Sequence, residues 1–296
     1  MTTSTIRTGY VRTDDDVELY YRCVGSGPPM VCCNGVGVST FFWRYVVEQF
    51  RDRFTLVLWD YRAHGCSGFP KDVEHADVSV GRSALDLRAI IESLNFDTPA
   101  ILLGHSMGCQ VIFEYLRLYP GTVAALIPMF GTYRRPLDTF MGTSASRAVF
   151  RGIERIARWG GRNGMRFVRP LYMSPFTFTI GRRIGMMDRH KARRQDMDLY
   201  LEHLNQLDTR IFLRMVNAIA DHDLTDFLPT IEVPTMIVGG TRDQFTPIAC
   251  SHEMAALIPA SELLVIENGT HAAIIEVPEI INERIERFLQ ERVGQG

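Results

Sequence analysis

The segment Ala100-Ile101-Leu102-Leu103-Gly104-His105-Ser106-Met107-Gly108-Cys109-Gln110-Val111-Ile112-Phe113-Glu114-Tyr115-Leu116 carries three local structures in succession. Its first four residues are an apolar run of the kind that forms a buried strand, and Cys109 to Leu116 reads as a helix. Between them, Gly104-His105-Ser106-Met107-Gly108 matches G-x-S-x-G in the strand–turn–helix context of a nucleophile elbow. The turn is so sharp that flanking side chains would collide, so Gly104 and Gly108 flank the serine. The Ser106 hydroxyl is then lifted clear of the backbone at a helix N-terminus. The plainer alternative is a tight strand-to-helix turn with an idle serine.

A serine hydroxyl is a poor nucleophile at neutral pH, so it needs a base, and the base needs a third group to orient it. Two later loops offer them. Thr235-Met236-Ile237-Val238-Gly239-Gly240 reads as a buried strand, followed by a loop that contains Asp243. Glu262-Leu263-Leu264-Val265-Ile266 reads as the next strand, and its loop ends at His271. Ser106, Asp243 and His271 thus all fall just past the carboxyl ends of strands, where open α/β sheets place their chemistry.

These segments resemble the α/β-hydrolase family, in its single-domain, cap-bearing form. The likeness runs from about Gly9 to the C-terminus, apart from a middle segment. It includes Asp60-Tyr61-Arg62-Ala63-His64-Gly65-Cys66-Ser67-Gly68, similar to the family's D-x-R-G-x-G-x-S loop. Gly240 to Asp243 and Gly269 to His271 are similar to its Gly-Thr-x-Asp and Gly-x-His segments. The resemblance implies a catalytic triad of Ser106, Asp243 and His271, with no cofactor and no metal. It implies an oxyanion hole made by the backbone N–H groups of Met107 and Val36. The oxyanion loop, Asn34-Gly35-Val36-Gly37-Val38-Ser39, departs from the family, which usually has His-Gly where this chain has Asn34-Gly35. That change puts the loop's usual side-chain hydrogen bonds in question.

The implied chemistry is acyl transfer to water, on a small-molecule ester of small or medium acyl chain. Lactone, thioester and carbon–carbon bond hydrolysis use the same triad, and perhydrolysis uses the same acyl-enzyme. Relatives that form alkyl-enzyme esters, the epoxide hydrolases and haloalkane dehalogenases, carry Asp at the elbow, so Ser106 argues against both. From a different class, a non-catalytic ligand-binding member of the fold is the rival reading, since fold does not dictate function.

Length and composition agree with this. A chain of 296 residues with 46% hydrophobic and 22% charged residues holds one large α/β domain plus an insertion, and is too apolar for a disordered protein. Met1-Thr2-Thr3-Ser4-Thr5 is polar and resembles no secretory leader, and the six scattered cysteines match neither a disulfide framework nor a zinc motif. A cytoplasmic protein with reduced thiols is expected. No oligomer signal is visible, so a monomer or homodimer is expected.

Along the chain, Ile6 to Thr13 and Val17 to Val24 read as a hairpin around Asp14-Asp15-Asp16. Met30 to Cys33, Phe54 to Trp59 and Val123 to Phe130 read as strands; Phe42 to Phe50, Val80 to Leu94 and Glu276 to Arg292 read as helices. In Val80 to Leu94 the expected apolar face is Leu85, Leu87, Ile90, Ile91 and Leu94. Alternating strands and helices predict a mostly parallel, doubly wound sheet: residues 1–132 and 221–296 as the core, and residues 133–220 as an inserted helical cap. The cap holds 17 Lys plus Arg against 7 Asp plus Glu, while the rest of the chain holds 15 against 27. Arg147, Arg151, Arg155 and Arg158 recur at helical spacing, with Val149, Ile153 and Ile156 on the other side. The plain reading is an apolar face over the pocket and arginines that are solvated or paired with the acidic core. The sharper reading is peripheral contact with a lipid or other anionic surface. Nucleic acid is not an expected partner, because no aromatic–basic platform is visible.

Other candidates compete for roles. His105 is read as a structural neighbour whose side chain diverges from Ser106, and His64 as part of the Asp60 loop. His222, between Asp221 and Asp223, resembles a metal-ligand cluster but reads more simply as solvated charge. Asp138 and Asp226 are rival acids without a clear strand end before them. Cys109 reads as a packed helix residue. Phe41, Phe42 and Trp43 either wall the acyl pocket or pack as the start of a helix.

Overall fold

A computed structural model describes residues 6–135, 152, 155, 187, 188, 191, 193–259 and 261–294. Among these residues eight strands form one sheet: β1 (Ile6–Arg12), β2 (Glu18–Gly25), β3 (Pro29–Cys33), β4 (Thr55–Trp59), β5 (Ala100–His105), β6 (Val123–Met129), β7 (Thr235–Gly240) and β8 (Ser261–Ile266). Their spatial order is β1-β2-β4-β3-β5-β6-β7-β8. The first hairpin pairs antiparallel, β2 joins β4 antiparallel, and every pair from β4–β3 onward is parallel. β5 lies between β3 and β6, so its carboxyl end opens at the middle of the sheet.

Helices cover both faces. Among the described residues they include α1 (Arg44–Phe50), α2 (Val80–Leu94), α3 (Met107–Leu118), α4 (Arg194–Gln206), α5 (Thr209–Asp221), α6 (Ile248–Leu257), the single turn α7 (Ala273–Glu276) and α8 (Pro278–Phe288). β3, β5 and β7 are buried at every position because both sides are covered. Successive residues supply opposite cores. Val31, Cys33, Val57, Ala100 and Leu102 pack with Leu87 and Ile90 of α2, Ile112 and Phe113 of α3 and Met254 of α6. Met30, Cys32, Leu56, Ile101 and Leu103 pack with Val46 and Phe50 of α1 and Ile281, Ile285 and Phe288 of α8. This is the doubly wound α/β architecture expected from the alternation.

Two helices differ from expectation. In α2 the Ser79 side chain accepts the Arg82 N–H at 3.0 Å as an N-cap, and Asn95 closes the helix at φ 49°. The buried face is Val80, Ala84, Leu87, Ile90 and Leu94, whereas Leu85 is 40% exposed. The stripe runs through Val80 and Ala84 rather than Leu85 because those two, with Leu87, hold the 3–4 spacing that points at the sheet. The expected helix from Glu276 to Arg292 is broken. Pro278 lacks an N–H and drives Val277 out of the helical region, to φ −138° and ψ 51°, so α7 stops and α8 restarts at the proline. The end from Leu289 to Val293 widens into a π-turn that Gly294 terminates.

Residues 133–135 and 222–224 meet beside the sheet. Arg134 bridges Asp223, the Arg135 N–H donates to the His222 carbonyl at 3.1 Å, and the Leu224 N–H donates to the Tyr133 carbonyl at 3.1 Å. α4 returns onto the core through its buried Asp196, which pairs with Arg44 at 2.9 Å and accepts from the Tyr45 hydroxyl at 3.1 Å. Asp138 and most of the basic stripe, namely Arg147, Arg151 and Arg158 with Val149, Ile153 and Ile156, lie outside the described residues. Arg155 is helical and exposed.

Candidate active site

Ser106 sits between β5 and α3 with φ 56° and ψ −117°, a conformation that L residues rarely adopt. Such a backbone persists only where its surroundings over-determine it. Here the Ser106 N–H donates to the Met129 carbonyl at 3.1 Å, and the Ser106 carbonyl accepts the Cys109 N–H at 3.0 Å. The glycines make the turn feasible. A Cβ at Gly108 would lie 2.2 Å from the Cys33 carbonyl oxygen, and one at Gly104 would lie 2.5 Å from the Gly108 carbonyl oxygen. Both obstacles are backbone, so neither can yield. Met107, the next residue, begins α3, where the helix dipole favours negative charge.

Asp243 follows β7, and its side chain is fully buried. One carboxylate oxygen accepts the N–H groups of Phe245 at 2.8 Å and Thr246 at 3.0 Å. The other accepts the Thr246 hydroxyl at 2.8 Å and meets His271 Nδ1 at 2.8 Å. An ionised carboxylate can only accept, so His271 carries its proton on Nδ1 and keeps a lone pair on Nε2. The loops of the two residues are stitched together by the Arg242 N–H, which donates to the Gly269 carbonyl at 2.9 Å. The serine's strand end adjoins this pair: the rings of His105 and His271 are 4.9 Å apart between centroids.

The loop after β3 lies against the elbow. A methyl group built on Gly35 would be 3.1 Å from Ser106 Cβ. Among the described residues no backbone carbonyl takes the N–H of Val36 or of Met107. Asn34 resolves the question its identity raised. Its amide nitrogen donates to the Trp59 carbonyl at 2.7 Å, and its amide oxygen accepts the Trp43 indole N–H at 2.7 Å. Both ends of the side chain are used, and the loop is tied to β4 and to the turn before α1.

His64 braces the same loop from the other side. Its Nδ1 donates to the Arg62 carbonyl at 3.1 Å, and its Nε2 accepts the Gly37 N–H at 3.3 Å. Burial pushes its pKa down to about 4, so the ring is neutral and can play both parts. Asp60 accepts the Ser39 hydroxyl at 2.5 Å and the Thr40 N–H at 3.3 Å, which ends the loop. Burial raises the Asp60 carboxyl, and these bonds oppose the rise.

The aromatics after the loop divide their roles. Trp43 is fully buried on Asn34, Phe42 packs 4.6 Å from the His105 ring, and Phe41 faces His203 of α4 at 6.0 Å. His203 is buried, with its pKa pushed down to about 4 by burial, and stands 6.1 Å from the His64 ring. Val216 and Ala220 of α5 close on Val36. No signal in the sequence marks His203 as a neighbour of this site, because its place depends on how α4 returns across the core. The linkage of His64 to Gly37 was equally hidden, since it joins residues from different loops.

The rival residues sit elsewhere. His222, read from sequence as solvated charge, is instead half-buried at the end of α5, 3.7 Å from Glu114, and burial lowers its pKa. Asp226 is exposed. Cys109 packs its thiol against the carbonyls of Gly104 at 3.3 Å and Met129 at 3.4 Å, and burial pushes its pKa up. Among the described residues no group of three His, Cys, Asp or Glu side chains could hold a metal ion, and no helix is long and apolar enough to cross a membrane.

Comparison with known proteins agrees with the fold. Residues 30–284 match the family model described as "Alpha/beta hydrolase family". A protein of Escherichia coli O9:H4 (strain HS), named "Putative carbamate hydrolase RutD", is 26% identical over 255 residues, covering 86% of this chain and 88% of its own. Among solved structures, an esterase from Exiguobacterium antarcticum superposes with a TM-score of 0.79 at 21% identity, covering 96% of this chain and 100% of its own. A bromoperoxidase from Bacillus anthracis does so with a TM-score of 0.79 at 20% identity, covering 96% and 100%.

Proposed function

The chain belongs to the alpha/beta hydrolase family, and we propose that it is a serine hydrolase of carboxylic esters with small or medium acyl chains, working through an acyl-enzyme on Ser106. The observation that carries this reading is the conjunction of a strained Ser106 at φ 56° with a buried Asp243 bonded to His271 Nδ1 at 2.8 Å. In this reading Ser106 Oγ attacks the acyl carbon as His271 Nε2 removes its proton. The imidazolium so formed is stabilised by Asp243, which stays ionised. The carbonyl oxygen becomes an oxyanion and takes hydrogen bonds from the N–H groups of Met107 and Val36, donors fixed before the reaction starts. Collapse of the tetrahedral adduct breaks the bond to the leaving alcohol, which receives the proton from His271. Water then repeats the sequence on the acyl-enzyme and releases the acid.

The test is hydrolysis of p-nitrophenyl esters of graded acyl length by the parent and by Ser106→Ala. The variant should lose at least about 10³-fold in kcat, because removal of the nucleophile leaves only binding and oxyanion contributions. A variant as fast as the parent refutes the mechanism. Stoichiometric labelling of Ser106 by a fluorophosphonate separates an enzyme from a ligand-binding member of the fold.

The RutD relative motivates a second reading, hydrolysis of a carbamate. The same triad would form a carbamoylated serine as the alcohol leaves, or an alkoxycarbonyl serine as the amine leaves, and water would then release the acyl group from Ser106. Adding a carbamate, a lactone, a thioester and a vinylogous diketone to the ester series decides among these bonds by the ratio of their kcat/KM values.

A further inference from the structure

His105 lies inside the elbow pentapeptide but takes no part in the steps above. Its ring is buried, and Nε2 is 2.9 Å from the backbone carbonyl oxygen of His271. A carbonyl oxygen can only accept, so Nε2 carries the proton and Nδ1 keeps a lone pair. That Nδ1 is buried without a hydrogen-bond partner. It looks toward Gly35, where a Cβ would come within 3.1 Å of it. Phe42 at 4.6 Å, His271 at 4.9 Å and Phe130 at 6.3 Å box in the ring. Burial, helped by the neighbouring His271, pushes the His105 pKa down to about 3. The ring is therefore neutral at neutral pH.

Among the described residues no backbone N–H donates to the His271 carbonyl. The base is thus held at two different points. Asp243 fixes the rotation and tautomer of its ring, and His105 fixes its backbone. Because His105 is bonded covalently to Ser106, the second constraint relates the base to the nucleophile directly, across a single peptide unit. We propose that His105 is a positioning residue that sets the Ser106-to-His271 separation through its Nε2–H bond to the His271 carbonyl. A cationic donor in this place would stand beside the imidazolium that forms on His271 and disfavour it. A neutral imidazole supplies the bond without the charge, and leaving Nδ1 unpaired is the penalty accepted for it.

This inference rests on the serine-hydrolase reading, and its test separates the two. The parent, His105→Phe and His105→Gln are compared in kcat, KM, the pH dependence of kcat/KM, and the NMR titration of the His271 ring nitrogens. Phe keeps an aromatic ring, though a larger one, removes the buried lone pair and takes the donor from the His271 carbonyl. Its kcat should fall roughly 10- to 100-fold, the scale of a misplacement near 1 Å, with KM changing less. The pKa of the basic limb should move in kinetics and NMR alike. Gln restores a donor at similar reach and should recover part of kcat. A Phe variant with the parent's kcat and His271 titration, or a Gln variant as impaired as Phe, overturns the proposal. A parent that neither hydrolyses the ester and carbamate series nor labels with fluorophosphonate overturns the hydrolase reading instead. The His271 titration is still readable in that case, and coincident curves in parent and Phe variant overturn the positioning role independently.

Discussion

Asn34 shows how a departure at one residue is absorbed by its neighbours. Where the family usually has histidine, this chain uses a shorter amide, and two tryptophans supply the partners: the Trp43 indole N–H and the Trp59 carbonyl, each at 2.7 Å. Replacing Asn34 by Ala leaves the buried indole N–H and the carbonyl without partners. The expected effect is a loss of about 1–3 kcal/mol in stability. It should also lower kcat, because Gly35 and Val36 are next in the chain. An unchanged urea midpoint would contradict the role given to this side chain. The places of Ser106, Asp243 and His271 just past strand ends were legible residue by residue, since each sits in a short motif after an apolar run. The use of Asn34 was not, because its partners come from two other segments and no spacing relates them.

Loops after strands, more than the strands themselves, carry the particular character of this molecule. The loop after β4 is anchored by Arg62, only 1% exposed, which pairs with Asp86 of α2 at 2.7 Å and with Asp15 of the first hairpin at 2.7 Å. Arg82 joins from α2, reaching Asp86 at 2.9 Å and Asp14 at 2.6 Å. The Arg62 guanidinium holds the Asp15 carboxyl well below the usual carboxylate range. Removing Arg62 leaves the buried Asp86 with Arg82 as its remaining cationic partner, so Arg62→Ala should cost up to about 3–5 kcal/mol in denaturant unfolding. Asp14→Asn, at a carboxylate whose side chain is 75% exposed, should stay within about 1 kcal/mol of the parent. Equal effects from the two would disprove the ranking by burial. The type of nearly every core element was legible because parallel strands read as apolar runs and α2 and α3 carry helical periodicity. The split between α7 and α8 was missed because the apolar pattern continues across Pro278 while the backbone cannot.

Among the described residues, burial pushes the pKa of His64 and His203 down to about 4 and that of His105 to about 3, against an ordinary 6.5, and lowers that of His222 as well. Between about pH 6.5 and 4 the unfolded chain binds protons at these positions that the folded chain refuses. Stability should therefore fall on acidification through that window, by up to about 1.4 kcal/mol per pH unit for each histidine. Asp15 adds a loss in the same direction at lower pH, while Asp60 and Glu276, whose carboxyls burial raises, oppose it. Urea midpoints at pH 7, 6 and 5 measure the slope, and His64→Gln should flatten it. A midpoint that does not change from pH 7 to 5 would contradict neutral, buried rings. By itself the sequence determined the doubly wound sheet and the elbow, because apolar period, glycine placement and turn chemistry are local properties that survive in a linear string. Only the tertiary structure decided which side chains brace the site. Asn34 on two tryptophans, His64 on Gly37, His105 on His271 and His203 over Phe41 are contacts between segments distant in the chain, and their bond distances exist only once the sheet has brought those segments to one edge.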